Sequence, residues 1–178
     1  MAFAKFDYSL NYKEVNFRNN PELYRTGVGE QGVLLVEPYK SEILPYWRFK
    51  TPEIAQASSK KIYDLLLGYK KHKDFIGMDM ARKFLQMGYT RSRRYANHKS
   101  GRKYDGPVPS DKKSQSGAHG RPVLPNVEDP EKAKSAKIFY DVWQIVRTDD
   151  TYQKMLVSHK EKYKIDKSAS PKIQSDAD

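Results

Sequence analysis

The sequence has no cysteine among its 178 residues. That excludes a disulfide framework, a thiolate zinc site, an iron–sulfur cluster and a cysteine nucleophile. It also lacks any stretch near the roughly 20 consecutive apolar residues that span a bilayer. The opening Met-Ala-Phe-Ala-Lys-Phe-Asp has no apolar h-region of the kind signal peptides carry, so a soluble, unprocessed, cytoplasmic protein is expected, with no membrane partner. Histidine is scarce, at four residues, and none stands at ligand spacing from another, so neither a metal site nor a cofactor is expected. Acids are also short. There are 33 Lys and Arg against 22 Asp and Glu, a formal charge of +11 that favours anionic partners. What is present suffices for folding: 38% of the residues are hydrophobic and 31% charged, which rules out a wholly disordered polyelectrolyte.

The positive excess is local. Between Arg82 and Arg121 eleven basic residues face only two acids, Asp105 and Asp111, whereas the rest of the chain is close to neutral. A concentrated excess costs self-repulsion in the folded state, and an anion bound there relieves it.

Length and patterning predict one domain over 1–164 and a loose tail over 165–178. Residues 1–50 are aromatic-rich and irregular. Within them Asn20-Pro21-Glu22 has the form of a helical start, and Val33-Leu34-Leu35-Val36, stopped by Pro38, reads as a strand. Its expected partner is Phe3–Tyr8 or Tyr46–Phe49. Thr51-Pro52-Glu53 opens a helix over 52–72, with Ile54, Ala57, Ile62, Leu65, Leu66 and Tyr69 at helical spacing. A second helix, 74–98, should turn Met78, Ala81, Phe84, Leu85 and Gly88 inward, and Asp79, Arg82, Lys83 and Gln86 outward. A long basic loop, 99–128, follows, and long structureless loops in compact domains are usually functional or disordered. Residues 129–164 read as a helical hairpin. The expected fold class is therefore mainly α with a small β element (α+β): about four helices, a short N-terminal sheet and the basic loop.

The second helix carries the most informative arrangement. At 100° per residue, Arg91 falls within about 20° of Phe84, with Tyr95 beside both, so Arg91 is expected to point inward. Arg94 and His98 follow it at one and two turns. A buried guanidinium must be paired. Either an acid such as Glu37, Glu42 or Asp79 meets Arg91 or a phosphate does, unless the helix breaks at Gly88 and leaves the arginines in solvent. The segment from Tyr95 to Gly106 then interleaves Lys99, Arg102 and Lys103 with Tyr104 and glycines. These are the parts of phosphate recognition: guanidinium forks, point charges, exposed amides and stacking faces. No Walker, RNP, KH, zinc-finger or homeodomain pattern is present.

His98 and His119 both lie in the basic stretch, and an imidazole there could serve as general acid or base on a phosphate or ribose centre, or merely hydrogen-bond backbone or ligand. Glu37 and Lys40, three apart, are on opposite sides of a strand and so do not form a nuclease pair.

Five segments carry a family likeness: Gly29-Glu-Gln-Gly-Val-Leu-Leu-Val-Glu-Pro-Tyr-Lys40, Trp47-Arg-Phe49, Met78-Asp-Met-Ala-Arg-Lys-Phe-Leu-Gln-Met-Gly-Tyr89, Arg91-Ser-Arg-Arg-Tyr-Ala-Asn-His98 and Gly117-Ala-His-Gly-Arg-Pro122. On these the chain resembles domain of unknown function 4385, a family of bacteria, fungi and tailed phages, over about residues 3 to 163. The resemblance implies a small intracellular single-domain protein and brings no activity or catalytic residue with it; the Lys-, Asn- and Tyr-heavy usage suits a phage member.

The reading that follows is a protein binding nucleic acid or another phosphate-bearing ligand through residues 82–121. Arg91, Arg94, Lys99, Arg102, Lys103 and Arg121 supply charge, Tyr95 and Tyr104 stacking faces, and His98 and His119 further donors. The alternatives are an enzyme on a nucleotide or nucleic acid, with the arginines holding phosphate and His98 or His119 moving a proton, and a scaffold for an acidic protein partner.

Overall fold

The computed structural model describes residues 5–113, 115 and 117–163; the tail expected over 165–178 and Phe3 of the expected strand partner lie outside them. The helices are α1 (Tyr39–Ile43), α2 (Pro52–Lys71), α3 (Phe75–Asn97), α4 (Pro130–Arg147) and α5 (Asp150–Lys162), with single 3-10 turns at Pro21–Leu23, Leu44–Tyr46 and Ser110–Lys112. Each of the four longer helices starts at a side chain that accepts an otherwise unpaired first-turn N–H. Thr51 Oγ1 accepts from Ile54 (3.2 Å), Asp74 from Gly77 (3.1 Å), Asp129 from Glu131 (3.0 Å) and Asp149 from Tyr152 (2.8 Å).

α3 is the axis of the molecule. From Phe75 to Leu85 every residue but Arg82 is buried, because α2, α4, α1, α5 and the N-terminal segment all pack on it. α4 runs antiparallel along it: the Asp129 amide donates to Ala96 O (2.7 Å), while ten residues later Phe139 covers Gly88. A Cβ at Gly88 would lie 2.3 Å from the Phe139 ring, so glycine is what permits this approach. Buried Ser92 and Ala96 on α3, with Ser135 and Ala136 on α4, continue the seam of small residues. α5 shares few contacts with α4, so the expected hairpin is loose; Tyr152 and His159 turn instead toward Phe75 and the N-terminal Tyr24.

The expected β element is absent: among the described residues there is no strand and no sheet, only one isolated antiparallel bridge between Tyr104 and Val123. The run 33–36 instead curls through successive turns, with Val33 N donating to Glu30 O (3.2 Å) and Leu35 N to Gly32 O (2.9 Å). Val33 and Val36 are buried, whereas Leu34 and Leu35 are exposed, a spacing of three that matches turns and not a pleat. Gly29 and Gly32, at φ 61° and 78°, bend the chain, and the Phe6 ring fills the space where a Cβ on Gly32 would stand. Ring contacts take the place of ladder bonds here. Phe6, Tyr12, Phe17 and Tyr24 touch in series at centroid separations of 5.7–6.2 Å. Trp47, the other expected partner strand, donates its indole N–H to Phe84 O on α3 (3.0 Å).

The 99–128 loop is anchored at its base and braced across its limbs. Val127 N donates to Asn97 O (2.9 Å), satisfying an end carbonyl of α3, and Leu124 N and Asp105 N pair with Lys103 O and Pro122 O.

The seam predicts opposite outcomes for two similar substitutions. Gly88→Ala should lower stability by about 1–3 kcal/mol through overpacking against Phe139, despite the helical advantage of alanine. Ser92→Ala should be neutral or stabilising by up to about 1 kcal/mol, because the buried Ser92 hydroxyl has no partner among the described residues. Urea unfolding of both variants checks this; a stabilised Gly88→Ala would refute the packing assigned to Phe139.

Candidate nucleic-acid interface

α3 passes Gly88 unbroken and ends at Asn97, so the stretch Arg91–Asn97 is helical. Arg91 nevertheless points to solvent, contrary to the inward orientation expected from its register with Phe84. The register fails because α3 is enclosed on all sides near Phe84, which therefore marks no single core direction. Past Gly88 the enclosure opens: Ser92 and Ala96 are buried and Tyr95 rests on Phe49, while Arg91 and Arg94 are left exposed.

Enclosure also reverses the expectation for the preceding turn. Asp79 and Lys83 are fully buried, and the Arg82 side chain is 11% exposed. The Arg82 guanidinium donates to Asp79 Oδ1 through Nε (3.0 Å) and Nη2 (2.7 Å), and Tyr152 OH donates to the same oxygen (2.6 Å). Tyr24 OH donates to Asp79 Oδ2, and Lys83 Nζ stands 3.8 Å from it. The two cations also hold the N-terminal segment: Arg82 Nη1 donates to Gly29 O and Lys83 Nζ to Gln31 O, both at 2.6 Å. Burial alone would raise the Asp79 pKa, but Arg82, Lys83 and the two tyrosine hydroxyls outweigh it and hold the carboxyl down at about 2. Burial pushes the Lys83 ammonium down to about 8, against the pull of Asp79.

The rest of the basic stretch divides by partner. Arg93 pairs with Glu128 (2.9 Å), and Lys112 stands 3.9 Å from Asp111. Arg121 spends its guanidinium on the carbonyls of Ala118, Gly117 and Gly106 and lies 5.1 Å from the Tyr104 ring centre. Six cations remain exposed, with no carboxylate at ion-pair distance among the described residues: Arg91, Arg94, Lys99, Arg102, Lys103 and Lys113. None of the acids expected to meet Arg91 does so. Asp79 is committed to the core, Glu42 binds Arg18 (2.7 Å) and Tyr69 (2.9 Å), and Glu37 accepts from Ser41. The carboxylate that lies toward Arg91 and Arg94 is Glu30, which accepts from Thr90 Oγ1 (3.1 Å). Its partial burial raises its pKa, opposed by Thr90, Arg91 and Arg94.

The aromatic and imidazole candidates are more engaged than their sequence neighbourhood suggests. Tyr95 packs against Phe49 (5.8 Å) and under Gly101, leaving 38% of the residue exposed. Tyr104 lies between Arg121 and Lys103, whose Nζ is 5.5 Å from the ring centre. His98 is buried, and its Nδ1–H donates to Pro125 O (2.9 Å), tying the loop back to the end of α3. His119, at φ 47°, places Nε2 3.3 Å from Gln115 O. Each ring thus has its own backbone partner.

Two parts of the surface escaped the sequence reading. Arg48 and Lys50 are exposed on either side of Phe49, which rests on Tyr95, and Lys132 Nζ donates to Lys50 O (2.5 Å). They place two further exposed cations beside the ring on which Tyr95 rests; Tyr46–Phe49, expected as a strand partner, carries the first of them. On another side, a groove of about 1200 Å³ between α1, the α2–α3 turn and the end of α5 contains Arg18, Glu42, Asp74, Tyr39 and Tyr69. Arg18 sits between the two carboxylates, and both tyrosine hydroxyls donate to them, fastening the N-terminal segment to the turn. Among the described residues no three His, Asp or Glu side chains converge as metal ligands, and no helix is long and apolar enough to cross a membrane.

Asp79→Asn should cost about 3–5 kcal/mol at pH 7, since it leaves two buried cations without their counter-charge. The Asp79 contribution is fully present above about pH 4, the unfolded value, and is lost as pH falls through 2. The stability gap between parent and variant should therefore narrow by about 2 kcal/mol between pH 4 and pH 2 in urea titrations. An equal pH dependence in the two proteins would contradict the ionised, paired state assigned to Asp79.

No curated protein and no solved structure matches the chain. A family model does, over residues 7–162, and by that match the chain belongs to the family described as Domain of unknown function (DUF4385).

Proposed function

We propose that the protein binds nucleic acid through the exposed end of α3 and the first limb of the following loop. The observation that supports this reading is the set of five exposed cations, Arg91, Arg94, Lys99, Arg102 and Lys103, that meet no carboxylate at ion-pair distance among the described residues. They stand on a braced frame: the α3 helix, the His98–Pro125 bond and the Lys103–Leu124 pairing. Arg91 and Arg94 are one turn apart, about 4.5 Å along the axis. Lys99 and the Arg102–Lys103 pair continue beyond the helix. A single phosphate would leave most of these charges unmet, whereas a polymer with a phosphate at every nucleotide engages them in succession and releases its condensed counterions. Cations at a helix C-terminus also face its negative dipole end, which holds them in place without neutralising them. The exposed edge of Tyr95, backed by Phe49, offers a surface for a base, and Arg48 and Lys50 extend the track.

Fluorescence anisotropy with labelled duplex and single-stranded oligonucleotides tests this. Log affinity should fall linearly with log salt, with a slope of about −3 to −5 on duplex DNA. Arg91→Ala combined with Arg94→Ala should weaken binding and make that slope shallower by about 2. Unchanged binding in the double variant, or none by the parent protein at low salt, would overturn the proposal.

A further inference from the structure

One carboxylate stands beside the exposed cations at the end of α3. The two oxygens of Glu30 lie 3.2 and 3.1 Å from Thr90 Oγ1, which donates to them. Thr90 immediately precedes Arg91 and is one turn before Arg94. The Cα–Cβ bonds of a helix tilt toward its N-terminus, so Arg94 sets out toward the turn that holds Glu30. Arg82, Arg91 and Arg94 face the carboxylate from α3, and none of them is at ion-pair distance from it. Arg82 is bonded to Asp79 and to Gly29 O, whereas Arg91 and Arg94 are exposed. Glu30 itself is half-buried, and burial raises its pKa against the pull of Thr90 and the three arginines. An acid held in this way lowers the local positive potential without closing the cations off, as an ion pair would.

We propose that Glu30 is a proton-operated brake on the basic face: ionised it opposes a bound polyanion, and protonated it releases Arg91 and Arg94 to hold one. This rests on the nucleic-acid reading of that face. The carboxylate repels the phosphates that the two arginines attract. Those phosphates in turn offset the arginine charge that keeps Glu30 ionised, so a bound polyanion favours the protonated form. The Glu30 pKa is therefore higher in the complex than in the free protein. Binding is tightest below the free value and constant above the bound one. Between them it weakens as pH rises, by at most about tenfold per pH unit for one proton.

Glu30→Gln keeps an oxygen for Thr90 and removes the charge. Fluorescence anisotropy uses labelled duplex DNA and oligothymidylate, neither of which titrates in the range needed. The variant should bind about three- to tenfold tighter than the parent at about pH 7.5, and the ratio should shrink toward one by about pH 5. Histidines and other acids titrate alike in both proteins and cancel in the ratio. Asp64→Asn removes one negative charge from the separate groove beside α1 and should give a ratio near one throughout. The carboxyl carbon resonance of Glu30 reads the parent protein alone, and its titration midpoint should move up when oligonucleotide is bound; if the variant fails to fold, that midpoint decides. Unaltered or weaker binding by Glu30→Gln, a ratio independent of pH, an equal gain in Asp64→Asn, or a midpoint that stays or falls overturns the inference. A parent that binds no oligonucleotide, or binding indifferent to Arg91→Ala with Arg94→Ala, defeats the nucleic-acid reading itself, whereas binding without a response at Glu30 defeats the brake alone.

Discussion

A carboxylate and two cations within two turns of one helix, Asp79, Arg82 and Lys83, are enclosed at the centre of the molecule. Charges taken out of water must be paired and hydrogen-bonded, or the fold loses several kcal/mol. Here the partners come from every direction: Tyr24 and the Gly29 and Gln31 carbonyls from the N-terminal segment, Tyr152 from α5. The helix therefore demands the segment, and the segment, which has no sheet of its own, is placed by that demand and by its chain of aromatic contacts. Gly29 and Gly32 bend the chain so that its carbonyls face inward to the two cations.

This constraint divides the positive charge into two populations. Arg82 and Lys83 are structural, and Arg93 and Arg121 fasten the loop to itself and to α3. The cations that remain, from Arg91 to Lys103, are exposed on that frame and meet no carboxylate at ion-pair distance among the described residues. Glu30 lies at the join: Gly29 beside it serves the core, while its carboxylate lies toward Arg91 and Arg94.

The positions of the four longer helices were legible from local chemistry, since Thr51, Asp74, Asp129 and Asp149 each act within three residues of themselves, whereas α1 has no such side-chain cap. The location of the charge excess was also legible. What failed depended on long-range enclosure. Val33–Val36 has strand composition, but no partner strand exists among the described residues and flanking glycines curl it into turns. The inward side of α3 changes along its length, all around near Phe84 and narrowed to the side of Ser92 and Ala96 past Gly88. A single phase carried from Phe84 to Arg91 therefore misplaces the arginine, and the same error put Asp79 and Lys83 outside. Nothing in the order of residues announced that Glu30, sixty positions before Thr90, would lie beside Arg91 and Arg94.

The separation of structural from available charge is most directly tested by following arginine and lysine side-chain NMR signals while a short oligonucleotide is added to the full chain. The account predicts shifts at Arg91, Arg94, Lys99, Arg102 and Lys103, and none at Arg82 Nε or the Lys83 ammonium. Shifts confined instead to the lysines of α2, such as Lys60 and Lys61, or no shift at all, would contradict it.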